Sequence, residues 1–205
     1  MRRIMLWLLM CLMAAGMVGV YPLHATAPAA VRKALKERFR LSRVAVDNEL
    51  VQGRVFNPGT ILILQADGVP AKRFRVAQHL QLSVFEKSLR PQWTRFHVRD
   101  YAPVTIAADG WLTADPGDFT LVRGTRLVVL DLKVKADRVH LFTHTLEPVW
   151  VTDGKAVYGC TEFIFPLDVS VPEWSDPAAI LGRIERWLPY GSASQSELFG
   201  FGADT

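Results

Sequence analysis

The stretch "WTRFHVRDY", residues 93–101, holds the densest run of side chains able to bind something. Read as a strand, it places Trp93, Arg95, His97, Arg99 and Tyr101 on one face and Phe96 and Val98 on the other. An aromatic–basic–basic–aromatic stripe can stack on sugar rings and hold anionic groups by charge-assisted hydrogen bonds. The same chemistry binds single-stranded nucleic acid. The competing account is a solvated strand face whose two end aromatics cover neighbouring strands. These five residues form the candidate ligand-binding set.

Two other combinations are weaker. His140 and His144 share a strand face, but at about 3.3 Å per residue their Cα atoms lie about 13 Å apart. That is too far for one metal ion bound at about 2.1 Å. Cys160 with His144 would make a nucleophile–base pair if the two met. If Asp153-Gly154 is a two-residue turn, Thr152 faces Lys155 and paired residue numbers sum to 307. Cys160 then faces Glu147, and its side chain points away from His144. A bulge near Pro148 would undo that register. The thiol is expected to be packed and inert. No Walker A loop, G-x-S-x-G elbow, H-E-x-x-H or C-x-x-C pair occurs. The sequence therefore predicts no catalytic residues, no metal site and no cofactor.

The elements around these residues are mostly strands. "TILILQ" follows the turn Asn57-Pro58-Gly59 and ends at Asp67-Gly68. Residues 72–88 are ambiguous between strand and helix. Asp109-Gly110 and "ADPGD" (residues 114–118) mark turns. In "VRGTRLVVLDLKVKADRVHLFTHT", Val128, Leu130, Leu132 and Val134 should share one face, with Asp131 and Lys133 on the other. Lys135-Ala136-Asp137 turns the chain. Val139, Leu141 and Thr143 then alternate with Arg138, His140 and Phe142. A second hairpin turns at Asp153-Gly154, a pair that favours type I′. "TEFIFPL" continues its return strand, so residues 120–168 read as an antiparallel meander.

A helix is expected at each end of this β section. Near the N-terminus, Val31, Leu35 and Phe39 form a stripe backed by Arg32, Lys33, Lys36, Arg38 and Arg40. Such a basic amphipathic helix packs its stripe on its own domain or lies on an anionic membrane. Towards the C-terminus, Asp176 is an N-cap and Pro177 takes N1. Ile180, Ile184, Trp187 and Leu188 make an apolar face, and Pro189 ends it.

The chain opens with Arg2 and Arg3, an apolar run from Ile4 to Val20, and Ala25-Thr26-Ala27. This pattern predicts a secretory signal peptide cut after Ala27. The alternative is an uncleaved membrane anchor, and either places the rest of the chain outside the cytosol. Of the two cysteines, Cys11 lies in the leader. Cys160 then stands alone, so no intramolecular disulfide can form and the core must supply stability. Losing Arg2 and Arg3 lowers the formal charge from +4 to +2, so bulk charge names no partner. Nucleic acid is disfavoured outside the cytosol.

The order of "PGTILILQADGV", the 122–145 hairpin, "EFIFPL" and "AAILGRIERWL" resembles a group of uncharacterised exported bacterial proteins. Those carry a "GTVLVLQKDG"-like strand and then a "GDKVYVTKIDVKKDKVVF"-like hairpin. The resemblance covers roughly residues 55–188. Leu127-Val128-Val129 stands where that group has an aromatic, and residues 72–108 have no counterpart. It implies a small mainly β, SH3-like barrel and implies no reaction.

The expected organisation is a signal peptide (1–27), a basic amphipathic helix (28–42), an antiparallel β domain (43–170), a packed C-terminal helix (171–189) and a mobile tail (190–205). The fold class is mainly β, α+β by content. The expected function is a non-enzymatic exported module binding a cell-envelope ligand or protein. An envelope hydrolase, and a membrane-surface protein held through residues 31–40, are the alternatives.

Overall fold

The computed structural model describes residues 27–45, 52–75, 100–167 and 176–191. They form a mainly β structure with a curled, half-barrel sheet and two helices, α1 (Ala27–Arg38) and α2 (Pro177–Trp187). The strands are β1 (Arg43–Val44), β2 (Val55–Asn57), β3 (Ile61–Ile63), β4 (Val69–Arg73), β5 (Ala102–Ile106), β6 (Leu112–Ala114), β7 (Phe119–Leu121), β8 (Arg126–Val134), β9 (Arg138–Thr145), β10 (Trp150–Thr152), β11 (Lys155–Val157) and β12 (Gly159–Pro166). The main sheet runs β3-β8-β9-β12-β4-β7, with β5 and β6 branching from β12. Every pairing in it is antiparallel except β12–β5.

Alternation along β9 and β12 divides the sheet into two faces. Val139, Leu141, Phe163 and Phe165 enter the main core. There they meet Val31, Leu35 and Phe39 from α1 and its C-terminal extension, and Ile180, Ile184 and Leu188 from α2 and its cap. The α1 stripe is therefore occupied by the protein's own core. Its basic side chains remain outside: Lys33 sits 4.0 Å from Glu37, and Arg38 pairs with Glu185 of α2 at 3.1 Å. α1 stops at Arg38, short of the predicted Ser42.

Three details depart from the sequence reading. First, β8 carries a bulge between Val129 and Asp131. Before it Leu127 and Val129 face the core, and after it Val134 does, with Leu132 packed alongside. The extra residue, Leu130, reverses the side-chain parity, so Val128, Leu130, Leu132 and Val134 do not share one face. Second, the Asp153-Gly154 hairpin forms in the expected register, Thr152 opposite Lys155. Both turn residues have positive φ, 51° and 71°, as type I′ demands. This hairpin is nevertheless a separate two-stranded sheet, with Trp150 edge-on to Phe119 at 4.6 Å. Its return strand does not run on in the same pairing. Beyond Tyr158 the chain joins β9, and Cys160 lies opposite His144.

Third, the tail is docked at its root. Ile63 and Gln65 donate backbone N–H groups to the carbonyls of Pro189 and Trp187, and Gly191 donates to Ile61. The segment thus covers the outer edge of β3, which would otherwise present unpaired backbone groups. Tyr190 stacks on Phe39 at 6.0 Å, with the Arg38 guanidinium 4.1 Å above its ring. A mobile tail from residue 190 would make a stop after Pro189 harmless. The geometry instead predicts a loss of about 2 kcal/mol, from one aromatic contact and one backbone hydrogen bond. Denaturant midpoints of the full and shortened chains check this, and equal midpoints would mean that the root contributes nothing.

Candidate functional site

The second face of the sheet carries the polar chemistry. Across its middle, β9 presents His140, Phe142 and His144, and β12 presents Cys160, Glu162 and Ile164. From β8, Asp131 lies opposite Phe142 and Lys133 opposite His140. His140 Nδ1–H donates to Glu162 Oε1 at 2.6 Å. A carboxylate can only accept, so this contact fixes the tautomer and leaves Nε2 as a lone-pair acceptor in the neutral ring. That Nε2 is buried and has no hydrogen-bond partner. The ring stacks over Phe142 with 6.2 Å between centroids. Phe142 also takes the Lys133 ammonium 4.6 Å from its centroid and the edge of Tyr101 at 5.0 Å.

Of the five predicted ligand-binding residues, Trp93, Arg95, His97 and Arg99 lie outside the described residues. Tyr101 is half-buried just before β5 and covers Phe142. This is how an end aromatic behaves when it closes over a neighbouring strand. Burial, and then the neighbouring acidic groups Cys160, Asp131 and Glu162, push its hydroxyl well above the usual phenol range. It remains protonated and able to donate. The sequence reading missed the His140–Glu162 contact. Its signal was the shared parity of His140 and Phe142 together with a β9–β12 pairing, and that pairing is masked by the hairpin lying between the two strands.

Cys160 lies opposite His144 and not, as the sequence predicts, opposite Glu147. Residues 146–149 oppose only Tyr158, so the paired sum drops from 307 at the hairpin to 304 between β9 and β12. This is the irregularity at Pro148 that could reverse the parity. The two side chains are cross-strand neighbours, yet they make no nucleophile–base pair. Burial pushes the Cys160 thiol far up, and it lowers His144 to about 4. Both groups are neutral at pH 7. The His144 Nδ1–H is committed to the Thr145 carbonyl at 2.6 Å. Cys160 is fully buried. In the folded protein at neutral pH, alkylation of Cys160 should be at least about tenfold slower than in urea, because the thiolate is the reactive form. A mass-spectrometric time course measures this, and equal rates would refute the packed-thiol account.

Among the described residues, no group of three or more His, Cys, Asp or Glu side chains could hold a metal ion. Nor is any helix there long and apolar enough to cross a membrane. The arrangement can offer aromatic faces, one ammonium and an imidazole oriented by a carboxylate. No family model, curated protein or solved structure matches this chain.

Proposed function

We propose that this protein is a non-enzymatic binding module working outside the cytosol, with a cell-envelope ligand or partner. The observation that carries the reading is the Tyr101–Phe142–Lys133 array. Two aromatic rings meet edge to face with an ammonium over one of them, just before β5. That combination suits sugar rings bearing anionic groups. Neutral, buried Cys160 and His144 make poor covalent catalysts, which also favours binding. The curled sheet stands in this proposal as an SH3-like barrel. Export rests on the leader pattern, and N-terminal sequencing of envelope protein should find Pro28 or a near neighbour.

The test separates charge from stacking. Arg95→Ala with Arg99→Ala should weaken pulldown of anionic envelope material about tenfold and flatten its salt dependence. Trp93→Ala should weaken it with the salt dependence kept. Melting curves run in parallel should move little for the arginine variant, since this proposal gives both arginines to a ligand and not to the core. A double arginine variant that binds like the parent across the salt series would end the proposal.

The hydrolase reading has one specific observation in its favour, the Glu162-oriented His140 with its free lone pair. In that case His140→Gln should abolish turnover of an envelope substrate while leaving pulldown intact. A membrane contact through residues 31–40 would rest on basic side chains alone, because Val31, Leu35 and Phe39 are in the core.

A further inference from the structure

We propose that His144 is an acid-sensitive latch whose protonation at Nε2 releases the aromatic cluster it shares with Phe74, Tyr158 and Cys160. The ring is 0% exposed. It stacks on Tyr158 at 5.1 Å and meets Phe74 edge-on at 4.9 Å. Nδ1 already carries the proton given to Thr145, so a second proton has only Nε2 to occupy, and that atom has no partner.

Among the described residues, those that face His144 from the packed strands provide no counter-charge. On β12, Cys160 is a neutral thiol whose titration burial has pushed far up. On β8, the facing residue is Val128. On β4, Lys72 lies opposite Cys160 and is itself a cation, 3.8 Å from Asp118. The Tyr158 hydroxyl is raised by burial, with Arg54 and Glu147 acting on it in opposite directions. Described carboxylates around the cluster are engaged elsewhere: Glu162 with His140, Asp131 with Lys133, Asp118 with Lys72 and the Arg73 N–H, and Glu147 with Arg126. A buried imidazolium without a partner is costly, so the proton is accommodated by opening the cluster to water.

Opening would undo a specific set of contacts. Phe74 N–H donates to the Tyr158 carbonyl at 2.9 Å, tying the end of β4 to the start of β12. The Tyr158 ring lies so close beneath Gly53 that a Cβ there would sit 2.7 Å from it. Tyr101 also packs against this cluster. One proton on His144 therefore loosens four chain segments together.

The sign follows from linkage. Burial depresses the closed-state value to about 4, whereas an imidazole in water titrates near 6.5. The open state therefore binds the proton first, and opening is favoured progressively as pH falls from 6.5 towards 4. By pH 5 the open fraction should be about 30-fold higher than at pH 8.

Cys160 is a built-in reporter, because it lies directly opposite His144. In the full chain carrying Cys11→Ser it is the only thiol. Dithiodipyridine exchanges with a thiol to give a mixed disulfide and thiopyridone. Its rate on Cys160, divided by that on glutathione at the same pH, should rise about 30-fold from pH 8 to pH 5 with far-ultraviolet circular dichroism unchanged. His144→Phe should abolish the rise. A flat profile, or an equal rise in the variant, would overturn the latch. Should the variant fail to fold, ring-nitrogen NMR of the parent decides. Titration of a still-buried His144 near the ordinary imidazole value refutes the proposal, and titration only together with exposure supports it.

Discussion

Gly59→Ala should destabilise the protein by about 3 kcal/mol or more, enough to remove much of a typical domain's stability. A Cβ at this position would lie 2.1 Å from the Arg40 carbonyl oxygen and 2.8 Å from the Leu41 carbonyl carbon. Both are backbone atoms, so no side-chain rotation relieves the collision. The chain leaving α1 crosses here over the chain entering β3, and hydrogen bonds stitch the crossing. Gly59 N–H donates to Ser42 Oγ at 2.7 Å, Thr60 N–H to the Arg40 carbonyl at 2.8 Å, and Arg40 N–H to Thr60 Oγ1 at 2.8 Å. Separating the strands by an ångström would lose all three, at about 1 kcal/mol each. Gly182→Ala is the control. It lies mid-helix with open space around it and should stabilise by about 0.5–1 kcal/mol. Urea titrations of both variants measure the difference. A Gly59→Ala midpoint matching the parent would mean that the crossing is looser than described.

Ile184→Ala should cost about 3 kcal/mol, and more than Trp187→Ala despite the smaller side chain. Ile184 is fully buried between α1 and the sheet, and its truncation leaves a cavity walled by rigid elements. Trp187 is only half-buried; its ring rests near Gly110 at the end of the β5–β6 turn. From the sequence Trp187 looks like the anchor, being the largest apolar residue on the helix. Its position in the last turn, where the chain peels away to cover β3, lets water reach the ring. Guanidinium midpoints with unchanged slopes are the measurement. If Trp187→Ala proves the costlier change, the account of how α2 docks is wrong.

Local patterns in the sequence were legible where neighbouring residues decide them. Asp153-Gly154 has one good turn geometry open to it, and it adopts it. Asp176 caps α2 through the Ala178 N–H at 3.0 Å, as its side chain and the following proline dictate. Of "WTRFHVRDY", Tyr101 is described with its side-chain contact, the ring of Phe142. What escaped the sequence are features set by one extra residue or by a distant partner. Leu130 reverses a face because the bulge exists only against β9. Residues 146–149 shift Cys160 onto His144, and nothing in those residues alone shows how many the partner strand will match. The parallel pairing of Thr161 with Ala102 joins segments with no local relation. His140 meets Glu162 only once these registers are set, so the candidate site could not be assembled from spacing.

The strip of backbone from Trp187 to Gly191 has a consequence for how the chain is made. β3 is synthesised well before α2, and its outer edge waits for residues 187–191. α1 waits likewise, since Arg38 finds Glu185 147 residues later. Until residues 187–191 have emerged, "ILI" at 61–63 is an apolar strand with one side open to any passing strand. The nascent protein is thus most vulnerable to mispairing during elongation, and the emergence and docking of residues 187–191 is the event that seals the sheet.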